Sequence, residues 1–129
     1  MDTRQRNRMR GQSLVEFALI VGVLSLIFLG LFDLGRVYNG YIVITNCARE
    51  GARYGSMHPD DPAGIRNRAI READNSGIVL TADDVGIDTT GGSGDPIAVT
   101  VEYDFLLLSA WAVGRDTLRL RSRVEMVNL

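Results

Sequence analysis

The sequence predicts an α+β protein in which a long N-terminal membrane-spanning helix continues into a small domain, with a second helix and a roughly three-stranded antiparallel sheet. Three observations carry this prediction. Residues 17–32 form an unbroken apolar run, and Pro59 prevents the helix that follows this run from continuing. Three segments after residue 84 alternate apolar and polar side chains with the period of strands.

The apolar run is long enough to cross a membrane once. With Leu14, Val15 and an extension past Asp33 to Leu34, it approaches the roughly 20 residues needed to cross about 30 Å of hydrocarbon. A secretory signal would end in a small-residue cleavage site, whereas an aspartate and an arginine follow here. Four arginines precede the run, and no comparably dense cluster follows it closely. The positive-inside rule therefore predicts a single span of the cytoplasmic (inner) membrane, with the N-terminus on the cytoplasmic side and residues from 39 onward outside. These arginines are Arg4, Arg6, Arg8 and Arg10.

The helix is expected from about Ser13 to Ser56, which makes it roughly 65 Å long. Half of it would therefore stand outside the bilayer. Residues 35–45 combine glycine, asparagine and β-branched side chains, which are poor helix formers, so this segment is the predicted place for a bend or break. The chain accordingly divides into a basic leader (1–11), a transmembrane helix (12–34), an extracytoplasmic helix extension (35–58) and a small α+β domain (59–129).

Small residues recur at helical spacing in the helix extension, where they allow close backbone approach. The two partners that fit such a stripe are the protein's own sheet and the helix of another subunit. The stripe consists of Ala48, Gly51, Ala52 and Gly55.

A second helix is predicted with Asp61 as N-cap, Pro62 in the first turn and Gly77 as its stop. Its apolar face carries Ile65, Ala69, Ile70 and Ala73. The predicted strands carry Val85, Ile87 and Thr89, then alternate residues 97–105, then alternate residues 118–126. The glycine-rich residues 91–94 are interpreted as a hairpin loop.

The last two strands should place opposite charges side by side, because Glu102 and Asp104 would face Arg119, Arg121 and Arg123. An anion or nucleic-acid site on the same arginines is the alternative interpretation. The apolar connection between these strands, residues 105–113, is too short to cross a bilayer. It could fold back on the long helix, lie at the membrane interface with Trp111 at headgroup depth, or meet a neighbouring subunit.

Composition excludes several kinds of chemistry. All 14 basic residues are arginine, and a phosphate loop or a Schiff base needs a lysine. One histidine, His58, and one cysteine, Cys47, cannot build a four-ligand zinc site. Cys47 is either a small buried residue or the site of an intermolecular disulfide. We therefore expect neither an enzyme nor a metal or cofactor site, and the net charge of −2 does not predict binding to nucleic acid.

The pattern resembles the TadE-like pseudopilins of tight-adherence pili, which are relatives of type IV pilins. The resemblance is carried by residues 10–18 (RGQSLVEFA), 48–55 (AREGARYG) and 99–105 (VTVEYDF). It implies a minor pilus subunit that a prepilin peptidase cleaves after Gly11, so that Gln12 becomes the N-terminus and Glu16 the fifth mature residue. Gln12 stands where type IV pilins commonly have phenylalanine. The implied partners are the peptidase, other pilins and pseudopilins, the membrane-embedded assembly machinery and lipid.

Glu16 marks function on physical grounds as well, because a carboxylate within a membrane span costs about 2.5–3.5 kcal/mol on insertion scales. Cleavage would create a partner, the α-amino group of Gln12 in an adjacent subunit. The alternative is that Glu16 extends its carboxylate to the cytoplasmic interface. Three functions remain: an assembly subunit, a major filament subunit, or an uncleaved membrane-tethered binding domain.

Overall fold

A computed structural model describes residues 3–89 and 94–128, with side chains described from residue 11 onward. Its three helices are α1 (Thr3–Met57), α2 (Pro62–Asn75) and the short α3 (Ala110–Val113). Its three strands are β1 (Val85–Thr89), β2 (Pro96–Leu106) and β3 (Thr117–Val127), and a 3-10 turn (Ala82–Asp84) precedes β1. The predicted α+β class, with a long apolar helix, a second helix and a three-stranded antiparallel sheet, is confirmed.

Helix α1 has two halves with different surroundings. Residues 11–28 are all exposed, although most are apolar. Within the described residues, α1 is the one helix that is long and apolar enough to cross a membrane. Its most apolar window has a mean hydropathy of 2.6, and none of that window is buried by the rest of the chain. From Asp33 onward a buried or partly buried position recurs every three or four residues, so only the C-terminal half carries the domain.

The structure differs from two expectations about α1. The helix begins at Thr3 rather than near Ser13, because arginine and glutamine are good helix formers and no proline separates the leader from the apolar run. The predicted break at residues 35–45 is not found, since the helix passes through this segment without interruption. Packing explains the difference: a methyl group on Gly40 would lie 3.3 Å from Phe105 Cδ2, and Ile44 is fully buried. These contacts with the sheet override the weak helix propensity of the segment.

Helix α2 begins and ends where the sequence predicts. The Asp61 carboxylate accepts a hydrogen bond from the Gly64 N–H at 2.9 Å, and Pro62 occupies the first helical position. Gly77, with a φ of 76°, follows the C-cap residue. The predicted apolar face packs on α1, with Ile65, Ala69 and Ala73 buried and Ile70 partly buried.

The sheet has the order β1-β2-β3, with both neighbouring pairs antiparallel. Of the predicted hairpin loop at residues 91–94, residues 91–93 lie outside the described residues, and Gly94 has a φ of 92°. One face of the sheet packs on α1 and α2 and forms the core with them. The largest fully buried side chains of this core are Ile44, Cys47, Ile65, Val85, Ile97, Val99 and Val101.

The other face of the sheet carries the predicted charge pairs. Asp104 lies opposite Arg119 and receives two hydrogen bonds from its guanidinium, at 2.9 and 3.0 Å. Arg119 lowers the pKa of Asp104, chiefly through these bonds. Glu102 lies opposite Arg121, with their nearest charged atoms 3.5 Å apart. Exposed pairs of this kind add little stability, and they explain the row of arginines without an anion ligand.

Arg123 connects β3 to β1 on the same face. Its guanidinium contacts Asp88 of β1 at 2.6 Å and Glu125 of its own strand at 3.1 Å. The sequence pattern predicted neither partner: it placed Arg123 beside Glu102 and Asp104, whereas the strand register places it opposite Thr100.

Candidate assembly site on the long helix

The predicted processing and assembly residues lie on the bare half of α1. Gly11, Gln12 and Glu16 are all helical and exposed. Within the part of the chain whose side chains are described, no residue forms an ion pair or a side-chain hydrogen bond with Glu16. The carboxylate therefore stands at the start of the apolar segment with its bonding capacity available to another molecule.

The small-residue stripe lies on the other half of α1 and faces inward. Ala48 and Ala52 are fully buried. A methyl group on Gly51 would lie 3.2 Å from Val99 Cγ1 of β2 and 3.5 Å from Ala69 Cβ of α2. The stripe thus packs against the chain's own sheet and second helix, and it leaves no face for the helix of another subunit.

The approach is closest at Gly55. A methyl group there would lie 2.6 Å from Ile97 Cδ1 and 3.0 Å from Ile65 Cδ1. Both isoleucines are buried, so their side chains have little room to turn away. Gly55 is the position at which α1, α2 and β2 converge.

A second polar feature of α1 was missed by sequence reasoning. Asp33 is only 3% exposed, and it binds the connection between β2 and β3. Its Oδ1 accepts a hydrogen bond from the Leu108 N–H at 3.1 Å, and its Oδ2 accepts one from the Ser109 N–H at 2.7 Å. Arg36 donates to Oδ1 at 3.1 Å and lies over the Phe105 ring, 4.9 Å from its centroid. The available signal was an acidic residue at the edge of an apolar run, since such residues usually have a specific partner.

The turn between α1 and α2 is held by polar contacts around Asp61. Its carboxylate accepts hydrogen bonds from the Gly64 N–H at 2.9 Å and from the Tyr54 hydroxyl at 3.0 Å. These donors lower the pKa of Asp61, with the Gly64 N–H contributing most. His58 stacks on Tyr54 with ring centroids 4.6 Å apart, and the Arg68 guanidinium lies 5.3 Å from the centre of the Tyr54 ring. The contacts of His58 are thus those of a residue that stabilises the turn.

Cys47 is fully buried in the core between the helix and the sheet. Burial raises the pKa of its thiol to about 11, and the charge of Glu72 adds to the shift. At pH 8, three units lower, only about 0.1% of the thiol is ionised, and the thiolate is the form that reacts. A disulfide to another subunit would require the domain to open.

We expect the Cys47 thiol to resist iodoacetamide in the folded protein at pH 8 and to react rapidly in urea. The matched control is Met57→Cys in a Cys47→Ala background, because residue 57 is at the exposed end of α1. This control thiol should react at once without urea. Fast labelling of native Cys47, or a dimer that disappears under reducing agents, would contradict the buried role.

The comparisons with known proteins find a match for most of helix α1. Residues 11–53 match the family model described as TadE-like protein. Neither the comparison with curated proteins nor the comparison with solved structures gives a match. The matched segment includes Glu16, Asp33 and most of the small-residue stripe, and it covers about a third of the 129-residue chain. The resemblance is thereby confirmed over residues 11–53, which are similar to the TadE-like family.

Proposed function

We propose that the chain is a pilin-like structural subunit that takes part in the assembly of a tight-adherence, type IV-related pilus. The observation that carries this proposal is the bare apolar half of α1, which has Glu16 at its entrance and lies within the segment that matches TadE-like proteins. The proposed role is structural, and it is supported by the contacts described above, which hold helices and strands together.

The two halves of α1 suit a subunit that changes its surroundings. Residues 11–32 bury no core with the rest of the chain, so they can exchange lipid for the helices of neighbouring subunits without disturbing the domain. Residues 33–57 keep their contacts with the sheet and α2 throughout that exchange. Because the small-residue stripe is used inside the domain, contacts between subunits in a filament would rest mainly on the bare half.

Processing after Gly11 would complete the assembly site. Gly11 is exposed on the helix, at the end of the basic leader, where a membrane-embedded prepilin peptidase could reach it. Cleavage would release a charged α-amino group on Gln12, close to Glu16 along the helix. Pairing this amine with Glu16 of an adjacent subunit would neutralise both charges and fix the axial position of one subunit relative to the next.

In this proposal the protein begins in the cytoplasmic (inner) membrane with its N-terminus inside and its domain outside. Its partners are the prepilin peptidase, the other pilins and pseudopilins, the membrane-embedded assembly machinery and lipid. The arginine leader supports this orientation through the positive-inside rule.

The test is the intact mass of the protein recovered from membranes of cells that carry the matching prepilin peptidase. We expect a species that begins at Gln12, and a parallel sample from cells without the peptidase should begin at residue 1 or 2. A mass that retains the leader in both strains would overturn the proposal. It would instead favour a permanently tethered binding domain.

The abundance of the processed protein in sheared filaments then separates the two filament functions. A minor assembly subunit should be sparse relative to the main pilin, whereas a major subunit should account for most of the filament. A tethered domain should be absent from the filaments.

A further inference from the structure

The connection between β2 and β3 forms an exposed apolar cluster at one end of the domain. We call this cluster the hairpin tip, and it consists of Leu106, Leu108, Trp111 and Val113. Trp111 is 73% exposed and Leu106 is 62% exposed. Clusters of large apolar side chains on a surface usually mark an interaction site.

The path of the sheet along α1 determines where the hairpin tip lies. Gly55 is close to Ile97, Gly51 to Val99 and Gly40 to Phe105. Strand β2 therefore runs antiparallel to α1 and approaches the membrane-spanning half as it proceeds. The next residues along the chain, Leu108 and Ser109, are bound by Asp33. The hairpin tip thus sits at the boundary where α1 leaves the domain and becomes bare.

Backbone hydrogen bonds hold the hairpin tip in a fixed position. The Leu107 N–H donates to the Asp116 carbonyl at 3.0 Å, which closes the base of the connection. The Gly114 N–H donates to the Ala110 carbonyl at 2.8 Å, and Gly114, with a φ of 73°, ends α3. Together with the two bonds to Asp33, these contacts fix the backbone of the connection on both sides of Trp111.

Trp111 lies over the bare helix itself. It lines an open apolar groove of about 650 Å³ together with residues of α1 that include Ala18, Gly22, Leu26 and Leu29. The apolar surface of the tip is therefore continuous with the apolar surface of the span. Lipid that surrounds the span would therefore also contact the hairpin tip.

We infer that the hairpin tip is a second membrane anchor, which inserts into the outer lipid interface beside α1 and places Trp111 just below the headgroups. Tryptophan is enriched at this depth because its ring is amphipathic. Interfacial elements of this kind bury their apolar side chains about 5–10 Å into the boundary between headgroups and acyl chains. A single helix leaves the domain free to rotate about the helix axis. A second anchor beside α1 would fix that rotation.

The inference rests on the membrane span of the proposed function, but it requires neither leader cleavage nor filament assembly. A second copy of the chain is the competing occupant of the groove. Lipid is favoured because the groove includes the span itself, which the bilayer surrounds before any assembly.

The experiment uses the full chain reconstituted in phosphatidylcholine vesicles, in which Trp111 is the single tryptophan. We expect blue-shifted emission, weak quenching by acrylamide, and strong loss of intensity when the lipids are brominated near the headgroup end of their acyl chains. Bromine near the methyl end should quench less. The matched control moves the reporter to the far end of α1 with Trp111→Phe and Met57→Trp, and it should show the opposite response to both quenchers.

Red-shifted Trp111 emission that acrylamide quenches and brominated lipid does not would overturn the inference. Protection from acrylamide that disappears when the protein is diluted with lipid would identify a second copy as the occupant and would also overturn it. Resistance to carbonate extraction is measured on the same vesicles. Failure to resist extraction would count against the membrane span, whereas an integrated chain with water-exposed Trp111 would refute only the second anchor.

Discussion

Replacing Gly55 with leucine should destabilise the domain more than any other single change on the small-residue stripe. A methyl group alone would already lie 2.6 Å from Ile97 Cδ1, and both Ile97 and Ile65 are buried. A leucine side chain adds three further carbons in the same direction, which α2 and β2 can accommodate only by moving away from α1. Overpacking of this kind costs roughly 1–3 kcal/mol, and we expect about 3 kcal/mol here because two elements must move.

The measurement uses Cys47 as a local probe, since it is buried in the same core and is expected to react with iodoacetamide only when the domain opens. In detergent micelles, Gly55→Leu should shift the onset of Cys47 labelling to a clearly lower urea concentration. The matched control is Gly35→Leu on the same helix, where an added methyl group would contact nothing within 4 Å. Gly35→Leu should leave the onset unchanged or raise it, because leucine is favoured over glycine in a helix by about 0.8 kcal/mol. Equal labelling curves for the two variants would mean that Gly55 is not a close-packed position.

The smaller change Gly55→Ala separates packing from helix propensity. Alanine stabilises a helix over glycine by roughly 0.8–1 kcal/mol, while its methyl group must displace the end of Ile97. These two effects oppose each other, so the labelling curve of Gly55→Ala should stay close to that of the unchanged protein. The contrast with Gly55→Leu then reports side-chain volume rather than backbone flexibility.

The sequence was sufficient for features that repeat with a short period. The span follows from an apolar run, α2 from its N-cap at Asp61 and its i, i+4 face, and the strands from alternation. The charge pairs on the outer face follow as well, because strand pairing leaves Glu102 and Asp104 beside arginines in any register close to the observed one.

The features that the sequence did not predict depend on contacts between distant parts of the chain. Asp33 is 75 residues from Leu108, and nothing local indicates that its carboxylate caps that connection. The continuity of α1 through residues 35–45 depends on such contacts as well. Propensity alone disfavours a helix there, but Gly40 is where Phe105 approaches the backbone, and that contact is visible only once the sheet is in place. The position of Trp111 beside the bare helix follows from these same contacts.

The second large effect is expected at Glu16, which concerns assembly rather than folding. Within the proposed filament, Glu16 compensates the α-amino group of Gln12 in the adjacent subunit. Leaving a buried charge without its partner costs roughly 3–5 kcal/mol, which corresponds to a loss of at least about 100-fold in an equilibrium constant. We therefore expect Glu16→Leu to be inserted and cleaved normally, with a mass that begins at Gln12, but to be nearly absent from sheared filaments.

Ser25→Leu supplies the control for Glu16→Leu, because it also replaces an exposed polar side chain of the same bare segment with leucine. The Ser25 hydroxyl bonds only to the Val21 carbonyl of its own helix in the described contacts, so its loss should leave incorporation unchanged. Glu16→Gln keeps the size of the side chain and removes its charge, and it should fail as Glu16→Leu does if charge compensation is the cause. Normal incorporation of both Glu16 variants would instead mean that the carboxylate only reaches the cytoplasmic interface. The axial order of subunits would then have to come from apolar contacts along residues 11–32, because the small-residue stripe is already buried within the domain.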